Sequence, residues 1–282
     1  MELKGQYVQQ IGFVFKNKMT NKYKVAVVCI CLNEKYWQYL PPMIASARKF
    51  FLKGHDVDFI AWTDMPKDMK IDAKIIPTEP FQWPLPTLHR YSLFLREEKL
   101  LEEYDYVFYV DADMLFVSRV GDEVLGNLVG AQHPMYAIRH DFNPPYEPNE
   151  KSTAFIPRTG RVIEKNGKKR FEPIYFAGGF QGGRSDAFIK AMKVMKEKID
   201  LDFAKNNYIA IWNDESHWNR YCFENPPDVV LSPSYIYPDS LINSYYRKAW
   251  GRNYVPKLMT ITKSFTMTAE GGANISQTLK NL

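Results

Sequence analysis

The stretch YVFYVDADMLF, residues 106–116, leads from aromatic and β-branched residues directly onto two carboxylates that lie one residue apart. A short apolar run of this kind predicts a strand buried on both faces, as in the parallel sheet of an α/β protein. In such folds ligands bind in the loops that follow the C-terminal ends of the strands. Asp111 and Asp113 could therefore share a divalent cation, or they could cap the turn that follows the strand.

The segments around this stretch alternate between strand and helix patterns. Strands are predicted at residues 24–32, 57–62, 73–76 and 229–232, and helices at residues 41–51, 88–101, 121–128 and 186–199. The alternation before Val117 predicts an α/β fold with an open, mostly parallel sheet flanked by helices. Because the sequence has no glycine-rich phosphate loop, a diphosphate would have to be held by a metal or by cationic side chains.

Two later stretches have the composition of a ligand site. Tyr175–Gly183 contains four glycines in nine residues, which would let the backbone lie close to a sugar. Ile209–Tyr221 crowds two adjacent carboxylates, Asp214 and Glu215, beside tryptophans. That pattern is typical of a carbohydrate site, although acidic residues also favour the N-terminus of a helix. Residues 139–174 are rich in proline and polar residues and predict long loops.

Charge and composition argue against several classes of protein. The 37 basic and 32 acidic residues give a net charge of +5, without the dense basic block that indicates nucleic-acid binding. The basic cluster at 165–170 predicts a solvated loop, with a phosphate or membrane patch as the alternative. No apolar segment approaches the roughly 20 residues that span a bilayer, and no signal peptide is visible. Cys29, Cys31 and Cys222 suggest neither a metal site nor a disulfide framework, so we expect a cytoplasmic protein, free or peripheral to a membrane.

Several stretches of the sequence together resemble glycosyltransferase family 6. They include residues 82–90, 106–116, 177–183, 212–216 and 255–257. This family includes the ABO blood-group enzymes and α1,3-galactosyltransferase. The resemblance implies a GT-A fold and retaining transfer from a UDP-sugar, in α1,3 linkage, to a galactose-terminated glycan. The expected donor is UDP-N-acetylgalactosamine, because small residues at Ala177 and Gly179 leave room for its acetamido group, and UDP-galactose is the alternative.

The resemblance also implies roles for individual residues. Asp111 and Asp113 would hold Mn²⁺, with Mg²⁺ as the alternative, against the diphosphate of the donor. Glu215 would carry catalysis, either as the nucleophile or by stabilising an oxocarbenium ion. The donor would contact Cys31, Asn33, Tyr36, Arg90, Asp111, Ala112, Ala177, Gly178, Gly179, Asp214, Lys257 and Lys263. The acceptor would contact His133, Trp212 and Asp239.

The implied organisation is a single GT-A domain at residues 23–263. This domain would consist of a nucleotide-binding half at 23–116, an acceptor-binding half at 117–245 and a basic lid at 246–263. An arm at 1–22 would precede it and a flexible tail at 264–282 would follow it. Animal members have an N-terminal membrane anchor, which this sequence does not show, so the resemblance points to a bacterial or phage source. Pro145 stands where animal relatives have an acceptor-contacting threonine. A lectin-like sugar binder and a metal-dependent hydrolase built on the Asp pair are the rival functions.

Overall fold

The computed structural model describes residues 22–138, 144–157, 161–165, 168–172, 174–241 and 254–262. The strands of this part of the chain are β1 (Lys24–Cys31), β2 (Asp56–Thr63), β3 (Lys74–Pro77), β4 (Tyr106–Val110), β5 (Met114–Phe116), β6 (Val129–Gln132), β7 (Arg161–Lys165), β8 (Lys168–Glu172), β9 (Phe176–Arg184), β10 (Val229–Leu231), β11 (Tyr237–Pro238) and β12 (Leu258–Thr260). The α-helices are α1 (Glu34–Trp37), α2 (Leu40–Phe50), α3 (Leu85–Leu88), α4 (Arg90–Leu95), α5 (Glu98–Leu101), α6 (Pro134–Ile138), α7 (Ser185–Asn206) and α8 (Asn213–Glu224).

Seven of these strands form the central sheet, in the order β10-β6-β9-β4-β1-β2-β3. Strands β4, β1, β2 and β3 run parallel to one another, and β6 and β10 form a second parallel pair. Within this sheet β9 runs in the opposite direction, antiparallel to both β4 and β6. The predicted α/β class with a mostly parallel sheet flanked by helices is confirmed, and it agrees with a GT-A fold. Because the other strands share one direction, their C-terminal ends meet at one edge of the sheet.

The strand predicted before the two carboxylates lies in the middle of this sheet. All five residues of β4 are buried. Phe108 packs with the core on the α2 side, whereas Val107 and Tyr109 pack with α4 and α7 on the other side. Because a fully buried apolar side chain contributes about 1.5–3 kcal/mol, β4 is a rigid base for the turn that carries Asp111 and Asp113.

The predicted helix at 88–101 is wrong in its continuity. His89 and Glu97, with ψ angles of 2° and 29°, separate α3, α4 and α5 from one another. After the first break, Arg90 opens α4 and is buried, although a charged residue at a helix start would usually face solvent.

The predicted helix at 121–128 is also wrong, since the segment contains only a short 3-10 turn at Asp122–Val124 before β6 begins. The backbone N–H groups of Asn127 and Leu128 donate to the carboxylate of Asp228 at 3.0 and 2.7 Å. An aspartate that binds backbone donors in this way competes with helix formation. The partner is about a hundred residues away in the sequence, so no local pattern indicates it.

Two further segments differ from prediction in their extent. Helix α7 continues past Ile199 to Asn206 and ends where Asn207 adopts a left-handed φ of 43°. The region 139–174, predicted as long loops, contains in its described part the antiparallel hairpin β7–β8. An Asn-Gly pair occupies positions 166–167 between these strands in the sequence, which is the pair that two-residue hairpins prefer.

Three remaining predictions concern the cysteines, membrane spans and the ends of the chain. Cys29, Cys31 and Cys222 are buried and unpaired. Within the described ranges, no helix is both long enough and apolar enough to cross a bilayer. Residues 1–21, 246–253 and 263–282 lie outside the described residues. They include nearly all of the predicted arm, half of the predicted lid and the whole predicted tail.

Gly182 in β9 tests the pairing of β9 with β4. A Cβ atom at this position would lie 2.4 Å from the carbonyl oxygen of Val107 and 2.8 Å from Cα of Phe108. We predict that Gly182→Ala lowers the free energy of unfolding by about 3 kcal/mol, because the backbone of a central strand would have to move. Gly54→Ala is the control, since a Cβ atom there meets nothing within 4 Å. Urea denaturation measures both variants, and equal stabilities would contradict the close approach of β4 and β9.

Candidate active site

The turn that follows β4 joins two pockets at the edge of the sheet. Asp111 begins this turn, and its backbone N–H donates to the carbonyl oxygen of Gly179 at 3.0 Å. Its side chain lines both the Asn33 pocket, of about 310 Å³, and the His133 pocket, of about 570 Å³. A ligand that occupied both pockets would therefore pass this carboxylate.

The Asn33 pocket lies where β1 and β4 end. Asn33 has a left-handed φ of 74°, and its N–H donates to the carboxylate of Asp64 at 2.9 Å. Asp64 also accepts a hydrogen bond from the Trp37 indole at 2.9 Å, so this carboxylate fixes the loop that bears the pocket. The lining includes Tyr36, Trp83, Pro86, Arg90, Ala112 and Asp113. The pocket thus combines aromatic faces with two carboxylates.

Arg90 connects the turn after β4 to β9 and α8. Its buried guanidinium places Nη1 2.8 Å from Oδ2 of Asp214 and donates to the carbonyl oxygen of Gly178 at 3.0 Å. The Nη2 atom lies 3.6 Å from Oδ1 of Asp111, and the group stacks 3.9 Å from the centroid of the Tyr109 ring. Burial raises the pKa of Asp214 to about 6, although the charge of Arg90 opposes this shift. One buried cation is therefore shared by two carboxylates.

Glu215 lies in the first turn of α8 and lines the His133 pocket. The Tyr175 hydroxyl donates to its Oε1 at 2.7 Å, and the Gly178 N–H donates to its Oε2 at 2.7 Å. Burial raises the pKa of Glu215 to about 7, while these two hydrogen bonds act to lower it. A fixed, buried carboxylate that titrates near neutral pH is typical of an active site. Both carboxylates lie at a helix N-terminus, as one interpretation predicted, and Glu215 also lines a pocket. The carbohydrate role of the segment stays a prediction.

Two glycines of β9 form the wall between these carboxylates. A Cβ atom at Gly178 would lie 3.3 Å from Oε2 of Glu215, and one at Gly179 would lie 2.6 Å from Oδ2 of Asp111. A side chain at Gly179 would therefore displace Asp111, whereas at Gly178 a small adjustment would be enough. Gly179 and Ala177 also line the His133 pocket, so this wall can lie close to a sugar ring.

His133 contributes a neutral imidazole to the pocket named after it. Its ring packs 4.9 Å from the ring of Tyr136 and 5.8 Å from that of Tyr175. Burial lowers the pKa of His133 to about 4. At pH 7 the ring can therefore exchange hydrogen bonds with hydroxyl groups without carrying a charge.

The sequence profile of glycosyltransferase family 6 matches residues 13–257, which is most of the chain. The chain belongs to glycosyltransferase family 6. This finding confirms the resemblance from which the roles of the site residues were predicted.

Curated relatives of this family 6 chain are moderately similar to it. The chain is 30% identical over 228 residues to histo-blood group ABO system transferase 1 of Rattus norvegicus, which covers 74% of this chain and 60% of the relative. It is 31% identical over 217 residues to globoside alpha-1,3-N-acetylgalactosaminyltransferase 1 of Homo sapiens, covering 73% and 58%. It is 26% identical over 220 residues to O-antigen biosynthesis glycosyltransferase WbnI of Escherichia coli, covering 76% and 88%. The chain thus matches about 60% of the length of the two mammalian relatives.

Asp111 and Asp113 suit the divalent cation that the family 6 resemblance implies. Both carboxylates line the Asn33 pocket, and oxygen atoms are the ligands that Mn²⁺ and Mg²⁺ prefer. Among the described residues, no group of three His, Cys, Asp or Glu side chains could hold a metal ion. A cation here would complete its shell with oxygens of substrate or water, as Mg²⁺ commonly does at phosphate groups.

The structure brings most of the predicted family 6 site residues to the two pockets. Asn33, Tyr36, Arg90, Asp111, Ala112 and Asp113 line the Asn33 pocket, and His133, Ala177, Gly179 and Glu215 line the His133 pocket together with Asp111. Gly178 and Asp214 lie behind these surfaces as partners of Glu215 and Arg90. Their roles toward substrates stay predictions.

Two predicted ligand residues instead bind other side chains. The Nζ atom of Lys257 lies 2.5 Å from Oε1 of Glu123. The carboxylate of Asp239 accepts a hydrogen bond from the Thr262 N–H at 2.9 Å. Neither residue is part of the lining of the two pockets. A role for Lys257 on the donor would require its ion pair with Glu123 to open.

Cys31 and Trp212 also lie outside the linings of the two pockets. Cys31 is buried in the core, and burial raises the pKa of its thiol to about 12. Side chains alternate along a strand, so its neighbours Ile30 and Leu32 line the Asn33 pocket. Trp212 immediately precedes α8 and is about half exposed, at 48%. Lys263 lies outside the described residues.

Sequence reasoning missed two tyrosines that hold the carboxylates of the site. Tyr175 binds Glu215 across 40 residues of sequence, so no local pattern could indicate the contact. The hydroxyl of Tyr109 donates to Asp111, two residues further along. Alternate positions of an extended chain lie on one face, and this spacing could have indicated that Tyr109 faces the site.

Glu147 is a third residue that the sequence interpretation missed. It is 1% exposed, and its carboxylate accepts hydrogen bonds from the Ile211 N–H at 2.6 Å and the Tyr208 hydroxyl at 2.8 Å. These bonds fix the segment that enters α8, so Glu147 helps to set the position of the helix start that bears Glu215.

Tyr175→Phe tests how Glu215 is held in its ionised form. The variant keeps the ring but removes a hydrogen bond to the carboxylate, so the pKa of Glu215 should rise further above its ordinary value. We predict that the acid limb of the pH profile of kcat/KM moves up by about one pH unit, because a hydrogen bond to a charged group is worth about 1.5 kcal/mol. Activity lost at pH 7 should return above pH 8. The control is Tyr221→Phe, which alters a different buried tyrosine, located on α8, and should leave the profile unchanged. A pH profile of Tyr175→Phe equal to that of wild type would contradict the role of this bond.

Proposed function

We propose that the chain is a retaining glycosyltransferase that moves N-acetylgalactosamine from UDP-N-acetylgalactosamine to a galactose-terminated glycan in α1,3 linkage. The observation that carries this proposal is the position of Asp111 between two pockets, one with aromatic faces and paired carboxylates and the other with Glu215. A nucleotide donor and a glycan acceptor would meet at this residue. UDP-galactose is the alternative donor.

The UDP moiety would occupy the Asn33 pocket. Aromatic faces at Tyr36 and Trp83 are suited to stacking on a flat base. Asp111 and Asp113 would hold Mn²⁺, or alternatively Mg²⁺, and the cation would neutralise charge on the diphosphate leaving group. Two cationic side chains of this chain would donate hydrogen bonds to the diphosphate. Lys35 lines the pocket, and the buried Nε of Arg90 has no hydrogen-bond partner among the described residues.

The transferred sugar would lie against β9, between Asp111 and Glu215. Its ring would face the wall formed by Ala177 and Gly179, whose small size leaves space for an acetamido group at C2. This size argument supports N-acetylgalactosamine over galactose. The ion pair between Arg90 and Asp214 would fix the groups that bind the sugar hydroxyls.

Glu215 would carry the chemistry at the anomeric carbon. In its ionised form it could attack this carbon as a nucleophile or stabilise the positive charge that develops when the bond to UDP breaks. The Tyr175 hydroxyl and the Gly178 N–H would hold the carboxylate in either role. The neutral ring of His133 would bind the acceptor galactose. The oxygen of its 3-hydroxyl would form the new bond to the anomeric carbon as UDP leaves, or as Glu215 leaves in the two-step route, and its proton would pass to the departing diphosphate.

The wider organisation follows from the same proposal. The nucleotide-binding half would be 23–116 and the acceptor-binding half 117–245, with residues 246–263 as a basic lid. The enzyme would act in the cytoplasm, free or at the periphery of a membrane, on a carbohydrate acceptor and not on nucleic acid.

An assay with both donors tests donor, acceptor and metal together. The chain is incubated with UDP-N-acetylgalactosamine or UDP-galactose, with or without lactose or 2′-fucosyllactose, in Mn²⁺ or EDTA. We expect faster consumption of UDP-N-acetylgalactosamine, strong stimulation by acceptor, and a fall of about 100-fold in EDTA that added Mn²⁺ reverses.

Each rival function predicts a different result in this assay. A hydrolase would consume UDP-sugar at the same rate whether or not an acceptor is present. A sugar-binding protein would consume neither donor. A rate unaffected by EDTA would contradict the metal role of Asp111 and Asp113 while leaving transfer itself supported.

A further inference from the structure

Tyr109 is a buried tyrosine whose hydroxyl serves the strand-end carboxylate. It lies in β4, is 3% exposed, and its ring lines the Asn33 pocket. Its hydroxyl donates a hydrogen bond to Oδ1 of Asp111. A buried hydroxyl needs a partner, and the partner here is a carboxylate in the candidate site.

The ring that carries this hydroxyl packs against two other side chains. The guanidinium carbon of Arg90 lies 3.9 Å from the ring centroid, and the ring of Phe94 packs 5.7 Å away. The Nη2 atom of the same arginine lies 3.6 Å from Oδ1 of Asp111. The Oδ1 atom therefore faces a hydroxyl and a guanidinium that have little freedom to move.

The two oxygens of Asp111 have different surroundings. Among the described residues, hydrogen-bond and ion-pair partners occur at Oδ1 and none donates to Oδ2. Oδ2 lies over Gly179, where even a Cβ atom would come within 2.6 Å of it. The absence of a side chain at Gly179 lets Oδ2 occupy this position, and because no described residue donates to it, Oδ2 is the oxygen that can accept a new partner.

We propose that Tyr109 is a positioning residue that holds Oδ1 of Asp111 so that Oδ2 faces the divalent cation of the donor complex. This inference rests on the proposed metal-dependent function. Carboxylates that bind metals are themselves held by hydrogen bonds, and loss of such a partner commonly costs 10–100-fold in metal affinity. Tyr109 itself touches neither the cation nor the reacting atoms.

A purely structural role for the hydroxyl makes a different prediction. If the bond only satisfied a buried polar group, its loss would lower the stability of the fold and leave the affinity for metal unchanged. The affinity for Mn²⁺ in the presence of UDP therefore separates the two roles, and it can be measured without turnover.

The test is the dissociation constant of Mn²⁺ in the presence of UDP, followed by the electron paramagnetic resonance signal of free Mn²⁺. We expect Tyr109→Phe to weaken Mn²⁺ binding by about 10–100-fold, while UDP binding without metal stays within about twofold of wild type. Tyr106→Phe, which alters another tyrosine of β4 at the opposite end of the strand, should bind Mn²⁺ as wild type does.

Two results would overturn the inference and they can be told apart. Equal Mn²⁺ affinity in Tyr109→Phe and wild type, with or without a lower melting temperature, overturns the positioning role alone. A wild-type chain that binds no Mn²⁺ with UDP overturns the metal part of the proposed function as well. Should Tyr109→Phe fail to fold, 4-fluorophenylalanine incorporated at position 109 carries the same test, because it keeps the aromatic face against Arg90 and fills the space of the hydroxyl without its proton.

Discussion

The site depends on one buried charge, the guanidinium of Arg90. A cation taken out of water costs several kcal/mol unless paired carboxylates and hydrogen bonds replace its hydration. Asp214 and Asp111 supply the carboxylates, Gly178 supplies a carbonyl oxygen, and Tyr109 supplies an aromatic face. These partners come from β4 with the turn that follows it, from β9 and from α8. Removal of either carboxylate would leave charge uncompensated, so Arg90 holds the three elements in one arrangement.

The same arrangement gives the carboxylates of the site different surroundings. Asp111 lies beside the Arg90 guanidinium and a hydroxyl and is open to both pockets, which suits its proposed role of holding a cation against an anionic donor. Glu215 is held instead by neutral groups, the Tyr175 hydroxyl and the Gly178 N–H, and the carbonyl oxygen of Gly178 links it only indirectly to Arg90. Burial raises its pKa to about 7. Neighbouring carboxylates with unlike surroundings can thus divide binding and chemistry between them.

Local patterns in the sequence predicted what depends on local interactions. The apolar run before Asp111 predicted the central strand, and the position of the two aspartates directly after this run predicted that both lie at the edge of the sheet. The helix at 88–101 is broken at His89, next to Arg90, whose burial against carboxylates far away in the sequence no local periodicity indicates. Contacts such as those of Tyr175 with Glu215 and Lys257 with Glu123 join residues far apart in sequence. The roles of the site residues came from family resemblance, because periodicity carries no information about chemistry.

The central claim is that donor binding and sugar chemistry occupy adjoining pockets and rest on different carboxylates. Glu215→Gln tests it most directly, because the variant removes the charge of one carboxylate while nearly keeping its shape. We predict that the dissociation constant of UDP stays within about twofold of wild type while sugar transfer falls by at least about 100-fold. Transfer at the wild-type rate by Glu215→Gln would contradict the account.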